Sequence, residues 1–195
     1  MNPSVLRSQL EAYLPQGTRD RRQQQRMLEL LNSSAQPFSR SNLSPGHFTA
    51  SALVLDPSAE RLLLILHRSL GLWLQPGGHF ENGDENLEAA VLRELSEETG
   101  LLQVEALNPD CQIFDIDIHN IPANPSKGEG PHQHFDLRMA FRAHQVEFKK
   151  TSEVNDIAWV DLSQLEQLHT DESVLRCAKR LQQRRQSCSA SLELL

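Results

Sequence analysis

The sequence predicts an α+β fold, with helices packed on a mixed β-sheet and an added helical arm at the N-terminus. Three observations carry that expectation. Aliphatic and β-branched runs of strand length recur through the middle of the chain, one long segment among them has helical periodicity, and the two kinds do not alternate as regular βαβ units. At 195 residues and 38% hydrophobic content, the chain suffices for one domain with a real core plus an appended helix.

Taken in order, Val5, Leu6, Leu10 and Leu14 repeat at helical spacing until Pro15-Gln-Gly17 ends the run. A second helix is expected from Thr18 through Met27, Leu28, Leu30 and Leu31 to Asn32, followed by a Ser-, Asn- and Pro-rich linker to Gly46. Residues 1–45 thus read as an arm that either covers the domain or joins a dimer interface. From Phe48, two runs separated by a turn over Asp56–Glu60 read as a hairpin of strands. Trp73–Gly78 is a break. Asn86–Thr99 is a strong helix signal, with Gly100 placed for a left-handed C-terminal cap. Cys111–His119 alternates, with Ile113, Asp115, Asp117 and His119 on one face. Asn120–Gly130 is a loop, His132–Ala143 alternates again, and Ile157–Val160 is a short strand containing Trp159, expected in the core. Helices over Leu162–Leu168 and Asp171–Gln186 close the domain, which spans 46–186, and 187–195 are expected to be a mobile tail.

The formal net charge of −7 disfavours a nucleic-acid grip, which needs clustered Lys and Arg, and suits a site that gathers cations through carboxylates. No stretch approaches the roughly 18 apolar residues of a membrane span, and the N-terminus lacks the apolar core of a signal peptide. Cys111, Cys177 and Cys188 form no close pair and are expected as reduced thiols. A cytoplasmic protein with neither a nucleic-acid nor a membrane partner is the expectation.

The chemistry concentrates in GGHFENGDENLEAAVLRELSEETGL, residues 77–101. Glu94 and Glu98 are four apart and Glu94 and Glu97 three apart, so a helix presents all three on one face, while Leu87, Val91 and Leu95 occupy another. Like charges at these spacings repel, and no lysine is interleaved to relieve them. The one cation on this helix is Arg93. Divalent cations would neutralise such a patch, since hard cations take oxygen ligands. The competing reading is an ordinary acidic helix face.

What surrounds the patch decides between them. Arg93-Glu94-Leu95-Ser96-Glu97-Glu98-Thr99-Gly100-Leu101 resembles the second half of the box that marks the Nudix hydrolase family, with every fixed position met. The first half departs from the pattern, because six residues separate Gly78 from Glu85 where the family usually has five. Glu85 is preferred to Asp84 for the loop carboxylate because it keeps the spacing to Arg93. The resemblance implies a Nudix-like α/β/α sandwich and a hydrolase that cleaves the diphosphate linkage of a nucleoside diphosphate joined to another group, using Mg²⁺ or Mn²⁺. It implies that Glu94, Glu97, Glu98 and the backbone carbonyl of Gly77 ligate metal, that Arg93 steadies a neighbouring carboxylate, and that Glu85 supports the metal site or its loop. The general base is Glu98 or Glu153. A homodimer is plausible by the same analogy.

The rest of the pocket must read the group attached to the diphosphate. Positions 132, 134, 136 and 138 have period two, so His132, His134, Asp136 and Arg138 share one face of a strand, with His119 nearby. Three readings stay open for them: a polar sheet face, contacts to phosphate or ribose, and a second metal site of the His-x-His kind. Arg68 is a candidate phosphate contact and His79 sits at the pocket rim. His47 precedes the first strand and could reach the same cleft, and both it and His79 read more readily as bystanders than as contacts.

Overall fold

The computed structural model describes residues 1–195 apart from 69, 109–112, 126, 127, 150, 153 and 193–195; for 187–192 only the backbone is described. Cys111 and Glu153 therefore lie outside the described residues. The chain divides into two compact units, Met1–Ala52 with Gly77–Glu94 and Asn108–Ala140, and Leu53–Pro76 with Leu95–Leu107 and Phe141–Leu195.

The first unit begins with helix α1 (Pro3–Ala12). Asn2 caps it by accepting from the Ser4 amide, and Pro3 starts it where a missing N–H costs nothing. Leu6 and Leu10 are fully buried, whereas Val5 faces out and Leu14 lies beyond the helix, 84% exposed. Helix α2 (Thr18–Ser33) buries Met27, Leu30 and Leu31. Its Asp20 accepts from the Tyr13 hydroxyl at 2.8 Å and the Gln16 amide at 2.9 Å, which fixes the α1–α2 turn.

Strand β1 (Gly46–Leu55) begins in this unit and pairs antiparallel with β4 (Gly77–His79), in the register Thr49 to His79 and Ser51 to Gly77. Strand β6 (Asp115–Ile121) pairs antiparallel with β7 (His132–Ala143), from Asp115 opposite Arg138 to Ile121 opposite His132. Helix α2 lies on these two strands. Arg19 donates to the Ile116 carbonyl at 3.1 Å, and Arg26 to the Gln133 side chain at 2.6 Å. The core here is aromatic, with Phe48 between Phe38 and Phe135 at ring separations of 5.7 and 5.9 Å.

Two segments of this unit differ from expectation. Gly77–His79 is a strand, not part of a break. Two glycines carry no β signal of their own, and the pairing with β1 imposes the conformation. Strand β6 continues to Ile121 where a loop was expected from Asn120, because Asn120 faces Gln133 and accepts from its side chain at 2.8 Å.

In the second unit, strand β2 (Arg61–Leu66) buries Leu62 to Ile65 and pairs antiparallel along its length with β8 (Asp156–Asp161). The short β3 (Trp73–Leu74) pairs with the end of β2, and β5 (Val104–Ala106) with the end of β7. Strands of two or three residues leave no readable period, so the sequence did not announce either. The hairpin at Asp56 is as expected, with Leu55 opposite Leu62. Trp159 is half-buried, not in the core, and donates to the Val146 carbonyl at 2.8 Å. Of the helix expected over Leu162–Leu168 only a single 3₁₀ turn forms, Leu165–Gln167. Helix α4 (Glu172–Leu192) buries Val174, Cys177, Ala178 and Leu181 and runs on into the segment expected as a tail. The Cys177 thiol is fully buried.

Helix α3 (Leu87–Thr99) begins in the first unit and ends in the second. Gly100 follows it at φ +66°, the left-handed position expected of it, and donates its amide to the Ser96 carbonyl at 2.8 Å.

Candidate functional site

Helix α3 carries Glu94, Glu97 and Glu98, and their spacing puts them on one helical face. Leu87, Val91 and Leu95 are fully buried on another, so core packing fixes which way the carboxylates point. Glu94 and Glu98 are half-buried and Glu97 is exposed.

Arg93 is the organising cation. It donates from Nε and Nη2 to the two carboxylate oxygens of Asp84, each at 3.0 Å, from Nη2 to the His79 carbonyl at 2.8 Å, and from Nη1 to Glu94 Oε1 at 3.1 Å. The bidentate bond to Asp84 drives the Arg93 guanidinium further into its charged range. Burial pushes the Asp84 carboxyl upward, but the bonds from Arg93 and from the Glu81 amide outweigh it and hold the group below its usual range. The sequence reading prefers Glu85 for the loop carboxylate. The buried loop carboxylate opposite Arg93 is Asp84, while Glu85 is exposed. Asp84 takes this place because its short side chain folds back to accept from the Glu81 amide at 2.7 Å, while its own amide donates to the Glu81 carbonyl at 3.1 Å, and the extra residue of the loop supplies the slack.

The glycines before this loop are required by space. A Cβ on Gly78 would sit 2.6 Å from Glu94 Oε1, and one on Gly77 2.4 Å from Ser51 Oγ and 2.6 Å from the Ala50 carbonyl. Strand β4 therefore brings bare backbone against a carboxylate that Arg93 already holds. Carboxylate and carbonyl oxygens gathered in this way are the donor set of a hard divalent cation.

In the second unit, Thr151 donates to the Glu98 carbonyl at 3.2 Å and the Lys149 amide to the Thr99 carbonyl at 2.8 Å, so the segment before Glu153 is tied to the end of α3. Arg68 donates to the Ser152 carbonyl at 3.0 Å. Glu153 itself lies outside the described residues.

The alternating face of β7 divides in two. Asp136 and Arg138, expected among substrate contacts, are 2% and 1% exposed. Arg138 Nε donates to Asp136 at 2.8 Å and its Nη1 to Asp115 at 3.5 Å, while the Thr49 and Ser51 hydroxyls donate to Asp136 at 3.0 and 2.8 Å. Arg19 bridges Asp117 and Asp20 at the margin of this network. With their charges matched in the interior, Asp136 and Arg138 brace the sheet and face no solvent.

His132 and His134 instead meet His47, His79 and His119. The His134 ring centroid lies 4.9 Å from that of His47, 5.0 Å from His79, 5.2 Å from His132 and 5.5 Å from His119. Burial and the surrounding imidazoles push His134 down to about 2, and burial with the nearby Arg40 charge pushes His79 down to about 4. His47, fully buried, is lowered as well. His47, His79 and His134 are therefore neutral at pH 7. The sequence missed the part played by His47. Its signal was Gly46, where a Cβ would strike the Gln133 carbonyl at 1.8 Å, so the start of β1 touches β7 between its two histidines. Thr49 and Ser51 were missed too, although two hydroxyls at alternate positions of an apolar strand are a readable sign of a buried acceptor.

A model of the NUDIX domain matches residues 45–180. The chain belongs to the Nudix family. It is 32% identical over 123 residues, 63% of its own length and 69% of the other's, to a protein of Lactococcus lactis subsp. cremoris named a probable DHNTP pyrophosphohydrolase. Among solved structures it is similar to a C. elegans Ap4A hydrolase in a binary complex, at 16% identity and a TM-score of 0.50, covering 76% of this chain and 98% of that one. It is also similar to the Nudix domain of Shewanella oneidensis NrtR, solved with ADP ribose, at 21% identity and a TM-score of 0.49, covering 80% and 97%. The α+β fold with a mixed sheet is thus that of the Nudix family, as the sequence predicted. The chain is a Nudix hydrolase acting on phosphoric anhydride bonds, and the family as a whole uses divalent metal ions, which suits the oxygen donors of α3 and β4. Among the described residues no helix is long and apolar enough to cross a membrane.

Proposed function

We propose that this Nudix hydrolase uses Mg²⁺ or Mn²⁺ to cleave the diphosphate linkage of a nucleoside diphosphate joined to a second group, in a site built on α3. The observation that carries this reading is the Arg93 clamp, which holds Glu94 over Gly78 at a spacing no larger residue would allow. Glu94, Glu97, Glu98 and the Gly77 carbonyl are the ligands. The bound cations supply charge neutralisation of the phosphate oxygens and a lowered pKa for an attacking water.

The protein's own residues do the rest. Arg93 positions Glu94 and, through Asp84 and the His79 carbonyl, the loop beside it. Glu98 takes the proton from water as the new P–O bond forms, and the bond to the bridging oxygen breaks, releasing two phosphate-bearing products. His79 and His119 meet the departing group. The similarity to a probable DHNTP pyrophosphohydrolase brings pterin triphosphates into the same class of reaction.

A panel of nucleoside diphosphate derivatives and dihydroneopterin triphosphate, incubated with Mg²⁺ or Mn²⁺ and read by product mass, tests the proposal. Cleavage between two phosphates of a nucleoside diphosphate derivative is the expected result. Turnover of the pterin compound alone would replace the substrate, and no turnover with either metal would remove the activity.

A further inference from the structure

We propose that His47, His132 and His134 form a second cation site, for a borderline transition-metal ion such as Zn²⁺, separate from the carboxylate helix and independent of the function proposed above. One nitrogen from each ring lies within 4.8 Å of the others. Within that triangle, His132 Nε2 and His134 Nε2 are 3.3 Å apart and share a hydrogen bond in the metal-free protein. Two imidazole nitrogens bound at about 2.0–2.1 Å in a tetrahedron would be about 3.4 Å apart, so this pair already has the spacing of two ligands on one ion.

The outward nitrogens complete the argument. A carbonyl can only accept, so His132 Nδ1–H donates to the Gly130 carbonyl at 2.8 Å and His47 Nδ1–H to the Asn42 carbonyl at 3.1 Å. Both rings therefore carry their Nδ1 protons outward and turn Nε2 inward, the arrangement in which an outer carbonyl fixes the tautomer of a metal-bound histidine. His47 is fully buried, and among the described residues its Nε2 has no hydrogen-bond partner. An interior lone pair left unmatched is unfavourable, and a cation at the centre of the triangle removes that penalty. In the metal-free protein His134 Nε2–H donates to His132 Nε2, so binding through His134 Nε2 displaces that proton, which Nδ1 can carry instead. Imidazole nitrogen selects Zn²⁺-class ions over Mg²⁺, and three protein ligands leave a fourth position for water or a substrate oxygen.

The test loads chelator-stripped full-length protein with Co²⁺ in the presence of excess Mg²⁺, which occupies oxygen sites. One equivalent of Co²⁺ with the intense visible bands of four-coordination is expected, displaced by one equivalent of Zn²⁺. Zn²⁺ at saturation should raise Tm by about 5 °C or more. His47→Ala and His134→Ala should each weaken Zn²⁺ binding by at least ~100-fold, beyond the loss usual for an outer partner, and Glu97→Gln should leave the cobalt spectrum unchanged. Weak six-coordinate absorption in the wild-type protein overturns the proposal even where a variant fails to fold. So does a four-coordinate spectrum that survives in a folded His47→Ala variant.

Discussion

The two ends of strand β7 look alike in sequence and behave as opposites. His132, His134, Asp136 and Arg138 continue one another at period two, yet the strand spends its polarity differently at each end. At 136 and 138 the charges are matched by Asp115 and by the hydroxyls of Thr49 and Ser51, in an interior network. At 132 and 134 the rings gather beside His47, with His134 Nε2–H donating to the inward Nε2 of His132 at 3.3 Å. A polar face on a buried strand is thus structural where its partners are protein groups, and offers a ligand a place where, as at His47 Nε2, a buried acceptor has no hydrogen-bond partner among the described residues.

The sharpest way to break this comparison is to unmatch the closed end. Arg138→Leu leaves buried carboxylates at 115 and 136 facing each other and is expected to cost about 3–5 kcal/mol in urea unfolding. Asp136→Asn keeps an acceptor for Thr49 and Ser51 but removes the charge opposite Arg138, for an expected loss of about 1–3 kcal/mol. At the open end, His134→Leu in metal-stripped protein should change stability by less than about 1 kcal/mol, because it removes no matched charge. A cost equal to that of Arg138→Leu would show that the histidines are as closed a network as the ion pairs. The smallest change is expected for His119→Ala, within about 0.5 kcal/mol, since His119 sits at the exposed margin of the cluster.

The same contrast governs what the sequence could tell. The carboxylate helix was legible because its signal is local. One periodic segment sets the buried leucines, the glutamate face and the Gly100 cap, and each is where the pattern put it. The choice between Asp84 and Glu85 was not legible, because it turns on how a loop one residue longer folds back on its own amide. The alternation of β6 and β7 was readable, but whether 136 and 138 face solvent depends on β1 supplying two hydroxyls from elsewhere in the chain. The role of His47 depends on a backbone contact at Gly46 that no periodicity encodes. Residues whose partners are near in sequence could be assigned, and those whose partners arrive through the fold could not.

Gly78→Ala separates positioning from stability at the metal helix. Its methyl group would displace the flexible Glu94 carboxylate and leave the core untouched, so turnover should drop about 10-fold or more while Tm stays within about 2 °C. A large loss of Tm would mean that Gly78 serves the fold and not the site.

The claim on which the account rests is that the glutamates of α3 carry the chemistry. The measurement that tests it most directly is kcat at saturating Mg²⁺ for Glu97→Gln and Glu98→Gln, on the substrate identified by product mass, with circular dichroism confirming the fold. Each folded variant should lose at least ~100-fold. Turnover at the wild-type rate in both would contradict it.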